Sequence, residues 1–268
     1  MYETLTQKRE RSRRCSKRRT MAADYKEQTE NPQDTKKRIT CMNQWPENCP
    51  EKIVLCMDLS NEMNTTFFKS KGSSMTALQL AKKMIDIFVN SKHIMNPLHR
   101  FAVIAMYDQA NWMCDFTSNP ETINSVLHHT KPDDVHEFDM TSLFQILDEN
   151  LNIEGENAAP CYVVRIILIY GRSICKPHLS NQEVFQKLLR NHRFFLDFLY
   201  IHDIPTEENN CQLIYETLCN LVKSNSYLLD VTKNTVFLFD NMAKLLAHPM
   251  QRCLQDETNY NLHRNLSM

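Results

Sequence analysis

Residues 53–60, IVLCMDLS, decide how the rest of the chain is read. The run is β-branched at its start and apolar almost throughout, and it closes on polar Asp58 and Ser60. Continuous apolarity over so short a length suits a parallel strand covered on both faces. After a polar loop, MTALQLAKKMIDIFVNSK (75–92) carries Leu78, Ala81, Ile85, Phe88 and Val89 at helical spacing, with Ser74 as the expected cap. FAVIAMY (101–107) and NWMCDFT (111–117) are strand-like runs only three residues apart, which predicts a hairpin and hence one antiparallel edge strand. Trp112 reads as a core residue of that edge.

Further along, helices are expected over 118–130, where Pro120 stands near the start, and over 140–151. CYVVRIILIYG (161–171) is the most apolar strand and is expected to be central. Residues 181–191 and 207–223 read as helices, FFLDFLYIH (194–202) and SYLLDVT (226–232) as strands. Residues 237–254 read as a last helix broken near Pro249. Strands that alternate with helical patterns define an α/β doubly wound sheet, mostly parallel, with helices on both faces. The expected organisation is a basic tail over 1–48, this domain over 49–240, and a C-terminal helix and extended segment over 241–268.

Sites in such sheets gather at the carboxyl ends of the strands. There Asp58 and Ser60 offer two oxygens to one crevice, and Thr141, at the start of a later helix, offers a third. Hard cations such as Mg²⁺ take oxygens of this kind. The pattern resembles the metal-ion-dependent adhesion site of the von Willebrand factor A family, built from D-x-S-x-S, a later Thr and an Asp after the fourth strand. Here Glu62 replaces the second Ser and Tyr170 stands where that Asp belongs. With two departures, Asp58, Ser60 and Thr141 are read as remnants of a degenerate site, and neither metal nor cofactor is expected. The alternative is a metal-dependent ligand-binding domain that still uses these three residues.

Catalytic signatures are missing. There is no H-x-H or HExxH for a zinc isopeptidase, and His128 and His129 are adjacent, so they point to different faces of a helix. There is no G-x-G-x-x-G, P-loop or G-x-S-x-G, and three glycines in 268 residues leave little material for a phosphate-cradling loop. A non-enzyme is expected.

A narrower resemblance covers roughly residues 45–255. NCPEKIVLCMDLSNEM (48–63), PCYVVRIILIYGRS (160–173), FFLDFLYIH and NMAKLLAHPMQR (241–252) are similar to the BRISC and BRCA1-A complex member family. That resemblance implies a scaffold subunit of deubiquitinase assemblies acting on lysine-63-linked polyubiquitin. It implies contact with an E2-like subunit, and through it with a metalloprotease and its pseudo-enzyme partner. Roles in DNA-damage signalling, mitosis and receptor turnover follow from the same resemblance.

In AKLLAHPMQRCL (243–254), Leu245 and Leu246 form an apolar surface, and the pair Pro249 and Arg252 projects from an extended segment. An apolar anchor, a rigid proline and a fork-shaped Arg suit a groove on another protein, which the resemblance assigns to the E2-like subunit. The two leucines are equally compatible with packing on this chain's own sheet.

Composition sets the remaining bounds. Residues 1–38 hold twelve Lys/Arg against six acids, whereas the chain as a whole has a net charge of −1. An acidic body with a basic tail suits protein partners better than nucleic acid. Within KRERSRRCSKRR (8–19), Arg13, Arg14, Lys17, Arg18 and Arg19 form a candidate nuclear-import signal. Ten scattered cysteines without a CxxC pair are read as reduced core residues, in the cytoplasm and nucleus. No apolar run approaches the ~20 residues of a membrane helix.

Overall fold

A computed structural model describes residues 49–70, 73–151, 162–223, 225–232 and 235–255. The basic tail with its import-signal candidates lies outside the described residues, as does Trp45, whose indole in the stretch before the domain reads from sequence as packing back on the domain or anchoring a partner. Six strands form one sheet: β1 (Glu51–Asp58), β4 (Arg100–Met106), β5 (Ala110–Thr117), β6 (Val163–Tyr170), β7 (Phe194–His202) and β8 (Leu228–Thr232). Their order is β5-β4-β1-β6-β7-β8. All pairs are parallel except the β4–β5 hairpin, so the antiparallel edge is where the short link predicted it.

β1 and β6 occupy the centre, with Leu55 beside Val103 on one side and Ile167 on the other. Because side chains alternate along a strand, β1 feeds two cores at once. Val54 and Cys56 pack beneath α3 (Met140–Asn150), α4 (Glu183–Arg190) and α5 (Cys211–Cys219). Ile53, Leu55 and Met57 pack beneath α1 (Ala77–Met95), α2 (Pro120–His129) and α6 (Thr235–Lys244). Covering both faces is what a parallel sheet with near-continuous apolar strands requires.

Helix starts follow local chemistry. Thr76 and Gln79 form a reciprocal capping box at α1, with 3.2 and 2.9 Å bonds. That pair displaces Ser74 from the capping role expected of it. Ser74 lies instead in β3 (Ser73–Thr76), which pairs with β2 (Thr66–Ser70) in a small antiparallel ribbon. The ribbon falls in the stretch read as a polar loop, because four or five mixed residues carry too little periodicity to announce a strand. Helices α5 and α6 are shorter than the patterns that announced them. Trp112 is half-buried, packs edge-on against Phe116 at 5.9 Å, and donates from Nε1 to Asp115. No disulfide joins the described cysteines, and Cys56 and Cys219 are buried in the core.

Candidate functional site

At the carboxyl end of the sheet, β1 delivers Asp58 into a crevice beside the exit of β6. The Asp58 side chain is fully buried. Its Oδ1 accepts from the Ser60 N–H at 2.9 Å, and its Oδ2 from the Gly171 N–H at 2.9 Å. The Arg172 Nε donates to both oxygens, at 3.1 and 3.2 Å. Arg172 is itself fully buried, and its other nitrogens donate to the carbonyls of Glu137 (2.7 Å) and Tyr107. Phe138 and Tyr170 lie within cation–π range of its guanidinium, at 5.3 and 5.8 Å. Gly171 allows this close turn, since a Cβ there would come within 1.9 Å of the Met63 sulfur.

The other oxygens of the expected site are committed to backbone. Thr141 Oγ1 accepts from the N–H groups of Ser180 and Asn181, at 2.9 and 3.4 Å. Glu62 Oε2 accepts from Ser173 (2.6 Å) and Ile174 (3.3 Å), tying the loop after β6 to the turn after β1. Burial pushes the Glu62 carboxyl upward, and the nearby Asp58 charge adds to that. Tyr170 turns its ring into the opposite core, against Phe138 and Tyr200, and its hydroxyl donates to the Cys175 carbonyl at 2.6 Å. Ser60 Oγ is buried and makes no hydrogen bond. Among the described residues no group of three or more His, Cys, Asp or Glu is placed to hold a metal ion.

A second polar centre lies at the amino end of the sheet, on the α1/α6 face. Five buried side chains alternate in sign: Lys92, Glu51, Arg165, Asp197 and Arg252. Arg165 bridges Glu51 at 3.1 Å and Asp197 at 2.8 Å. Burial alone would raise both carboxyls, but Arg165, with Lys92 beside Glu51 and Arg252 beside Asp197, holds them below their ordinary values. The sequence carried a signal for this centre. A lone Arg in VVRIILIY and a lone Asp in FFLDFLYIH are charges inside apolar strands, and such charges require buried partners.

The C-terminal segment straps this centre shut. The carbonyls of Leu246 and Ala247 accept from Lys92 (3.3 Å) and Arg165 (3.1 Å). Arg252 forks onto Asp197 and lies 3.9 Å over the Tyr227 ring. Gln255 exchanges hydrogen bonds of 2.7 and 2.8 Å with the Leu228 backbone. Of the four residues expected to face a partner, Leu245 is fully buried, Pro249 is buried and Leu246 half-buried, and the Arg252 side chain is 2% exposed. This corrects the expectation that Pro249 and Arg252 project outward: without Arg252, the Asp197 carboxylate would lose one of the two cations that offset its burial. The segment presents Ala243, Ala247, Gln251, Cys253 and Leu254 outward instead.

Three histidines set an expected pH profile. His99 Nδ1 accepts from the Glu51 N–H at 2.8 Å, and burial, with Lys92 nearby, lowers its pKa to about 4. Burial lowers His248 as well. Burial also works against charge on His202, but Asp230 and Cys211 outweigh it and the pKa rises to about 9. Below the ordinary histidine value of about 6.5, the unfolded chain takes protons that folded His99 and His248 refuse, so stability falls as pH drops; His99 contributes up to about 3 kcal/mol. His202 contributes fully below about 6.5, and its contribution fades as pH rises through 9. Urea unfolding across pH 4–10 is therefore expected to show a maximum near neutrality. Stability that rose steadily toward pH 4 would refute this assignment.

The sheet order, the single antiparallel edge and the crest at β1 and β6 define a von Willebrand factor type A domain. The model of that domain family matches residues 53–167. The structure of the SpRpn10 VWA domain superposes with a TM-score of 0.52, covering 75% of this chain and 96% of that one at 15% identity. Sequence similarity is more specific. Over 224 residues the chain is 35% identical to BRISC and BRCA1-A complex member 1 of Xenopus laevis, covering 80% of this chain and 68% of that protein. The Homo sapiens protein of the same name is 34% identical over 227 residues, covering 80% and 69%. The chain belongs to the BRISC and BRCA1-A complex member 1 family.

Proposed function

We propose that this chain is a non-catalytic scaffold subunit of a BRISC-type deubiquitinase assembly acting on lysine-63-linked polyubiquitin. The observation that carries this reading is the crevice. Its Asp58 carboxylate, its Thr141 hydroxyl and its Glu62 are spent on backbone N–H groups and on Arg172, and the Ser60 hydroxyl is hydrogen-bonded to no base that could activate it. The names of its relatives support membership of a multisubunit complex. In this reading the chain docks on an E2-like subunit and through it joins the metalloprotease and its pseudo-enzyme partner. It would serve DNA-damage signalling, mitosis and receptor deubiquitination in cytoplasm and nucleus. Docking at the C-terminal segment uses its outward residues, Gln251 and Leu254 among them, while Pro249 and Arg252 hold that segment in place. No helix of the described residues is long and apolar enough to cross a membrane.

The test has two arms. The purified chain incubated with lysine-63-linked ubiquitin chains is expected to release no ubiquitin. The same chain, tagged and recovered from native extract, is expected to bring an E2-like protein and a metalloprotease identified by mass spectrometry. Turnover by the chain alone, or recovery without those subunits, would overturn the proposal.

A further inference from the structure

We infer that Arg172 does permanently, and covalently tethered, what a bound divalent cation would do in a metal-bearing crevice of this fold. The residues present do not fit a metal. A cation such as Mg²⁺ wants about six oxygens at about 2.1 Å in near-octahedral array. Here both Asp58 oxygens already accept from three N–H donors, those of Ser60, Gly171 and Arg172. Thr141 and Glu62 are engaged with backbone, and Tyr170 brings no carboxylate. Among the buried side-chain oxygens of these residues, Ser60 Oγ alone makes no hydrogen bond.

The guanidinium does more than neutralise Asp58. It reaches the end of β1 through Asp58, the end of β4 through the Tyr107 carbonyl, and the loop before α3 through the Glu137 carbonyl. A planar fork with five donors on three separate nitrogens serves oxygens spread around its whole edge, whereas the three donors of an ammonium radiate from a single nitrogen. Two strand exits and the α3 loop are thereby fixed around one buried positive charge. The crest has one arrangement, and divalent ions have no lever on it. A ligand with no differential affinity for two states cannot shift between them.

Melting of the full chain tests this. The wild-type midpoint is expected to be the same in millimolar MgCl₂, in MnCl₂ and in EDTA. Arg172→Gln leaves Asp58 as a buried charge without its cation, and is expected to lower the midpoint by on the order of 10 °C. Arg172→Lys is expected to recover only a minor part, because one ammonium cannot span the three oxygens. Asp58→Asn combined with Arg172→Gln is expected to melt well above the sum of the two single losses, since their effects are coupled. Two results would overturn the inference: a wild-type midpoint raised by Mg²⁺ and not in Asp58→Asn, or an Arg172→Gln chain melting within about 2 °C of wild type. If Arg172→Gln does not fold at all, the wild-type ion series decides alone. Ion independence supports a tethered cation and ion dependence rejects it.

Discussion

Alanine in place of Asp197 is expected to cost on the order of 5 kcal/mol, enough to leave the chain largely unfolded at physiological temperature. The carboxylate is fully buried and accepts from Arg165, from Arg252 and from the Tyr227 N–H. Removing it places two guanidiniums, side by side and nearly dry, with only Glu51 left to balance Arg165, Arg252 and Lys92. Like charges in a low-dielectric interior repel far more strongly than on the surface. The cost of a truncated buried pair is mostly this orphaned charge and not the lost bond. Asp197→Asn keeps an acceptor for Tyr227 but not the charge, so it should fall closer to alanine than to wild type. Urea unfolding followed by circular dichroism measures both. A loss below about 1 kcal/mol for alanine would mean the network contributes nothing net.

Ending the chain after His248 is the second large expectation. The segment beyond it reads from sequence as an extended stretch that docks in a partner's groove, yet in the structure it packs on this domain. Truncation removes Arg252, the Cys253 carbonyl that accepts from the Tyr227 hydroxyl at 2.7 Å, and the Gln255 pair on edge strand β8. It also uncovers Asp197. A loss of about 3 kcal/mol is expected, or on the order of 10 °C in midpoint. Arg252→Met alone should cost less, because Asp197 keeps Arg165 and Tyr227 and the methionine stem still packs on the Tyr227 ring. Differential scanning of wild type, Arg252→Met and the truncated chain gives the order directly. A truncated chain that melts with wild type would refute the strap. Loss of partner capture on truncation therefore indicates a docking site only when the melt is unchanged, whereas substitution of outward Leu254 separates the two effects.

The same distinction explains what was legible. The apolar runs of β1, β6 and β7, the three-residue link of the hairpin and the helical spacing in α1 are local patterns, and local patterns survive in any window of a dozen residues. The D-x-S exit and the missing carboxylate at Tyr170 were readable for the same reason. The β2–β3 ribbon was not, since its pairing depends on a partner strand more than on its own few residues. Arg172 stood in plain view as part of GRS, but its role depends on where the carbonyls of Tyr107 and Glu137 come to lie.

The alternation of sheet strands with helices, the fold class and the tyrosine at position 170 belong to the sequence alone, because each is a property of contiguous residues or of one position. The charged centre and its strap belong to the tertiary structure. Glu51, Lys92, Arg165, Asp197 and Arg252 are strewn across most of the chain, and only the parallel stacking of β1, β6 and β7 turns three of them to the same face, each two residues further along its strand than the last. A buried charge is stable or ruinous according to its neighbours in space, and those neighbours exist only once the sheet has closed.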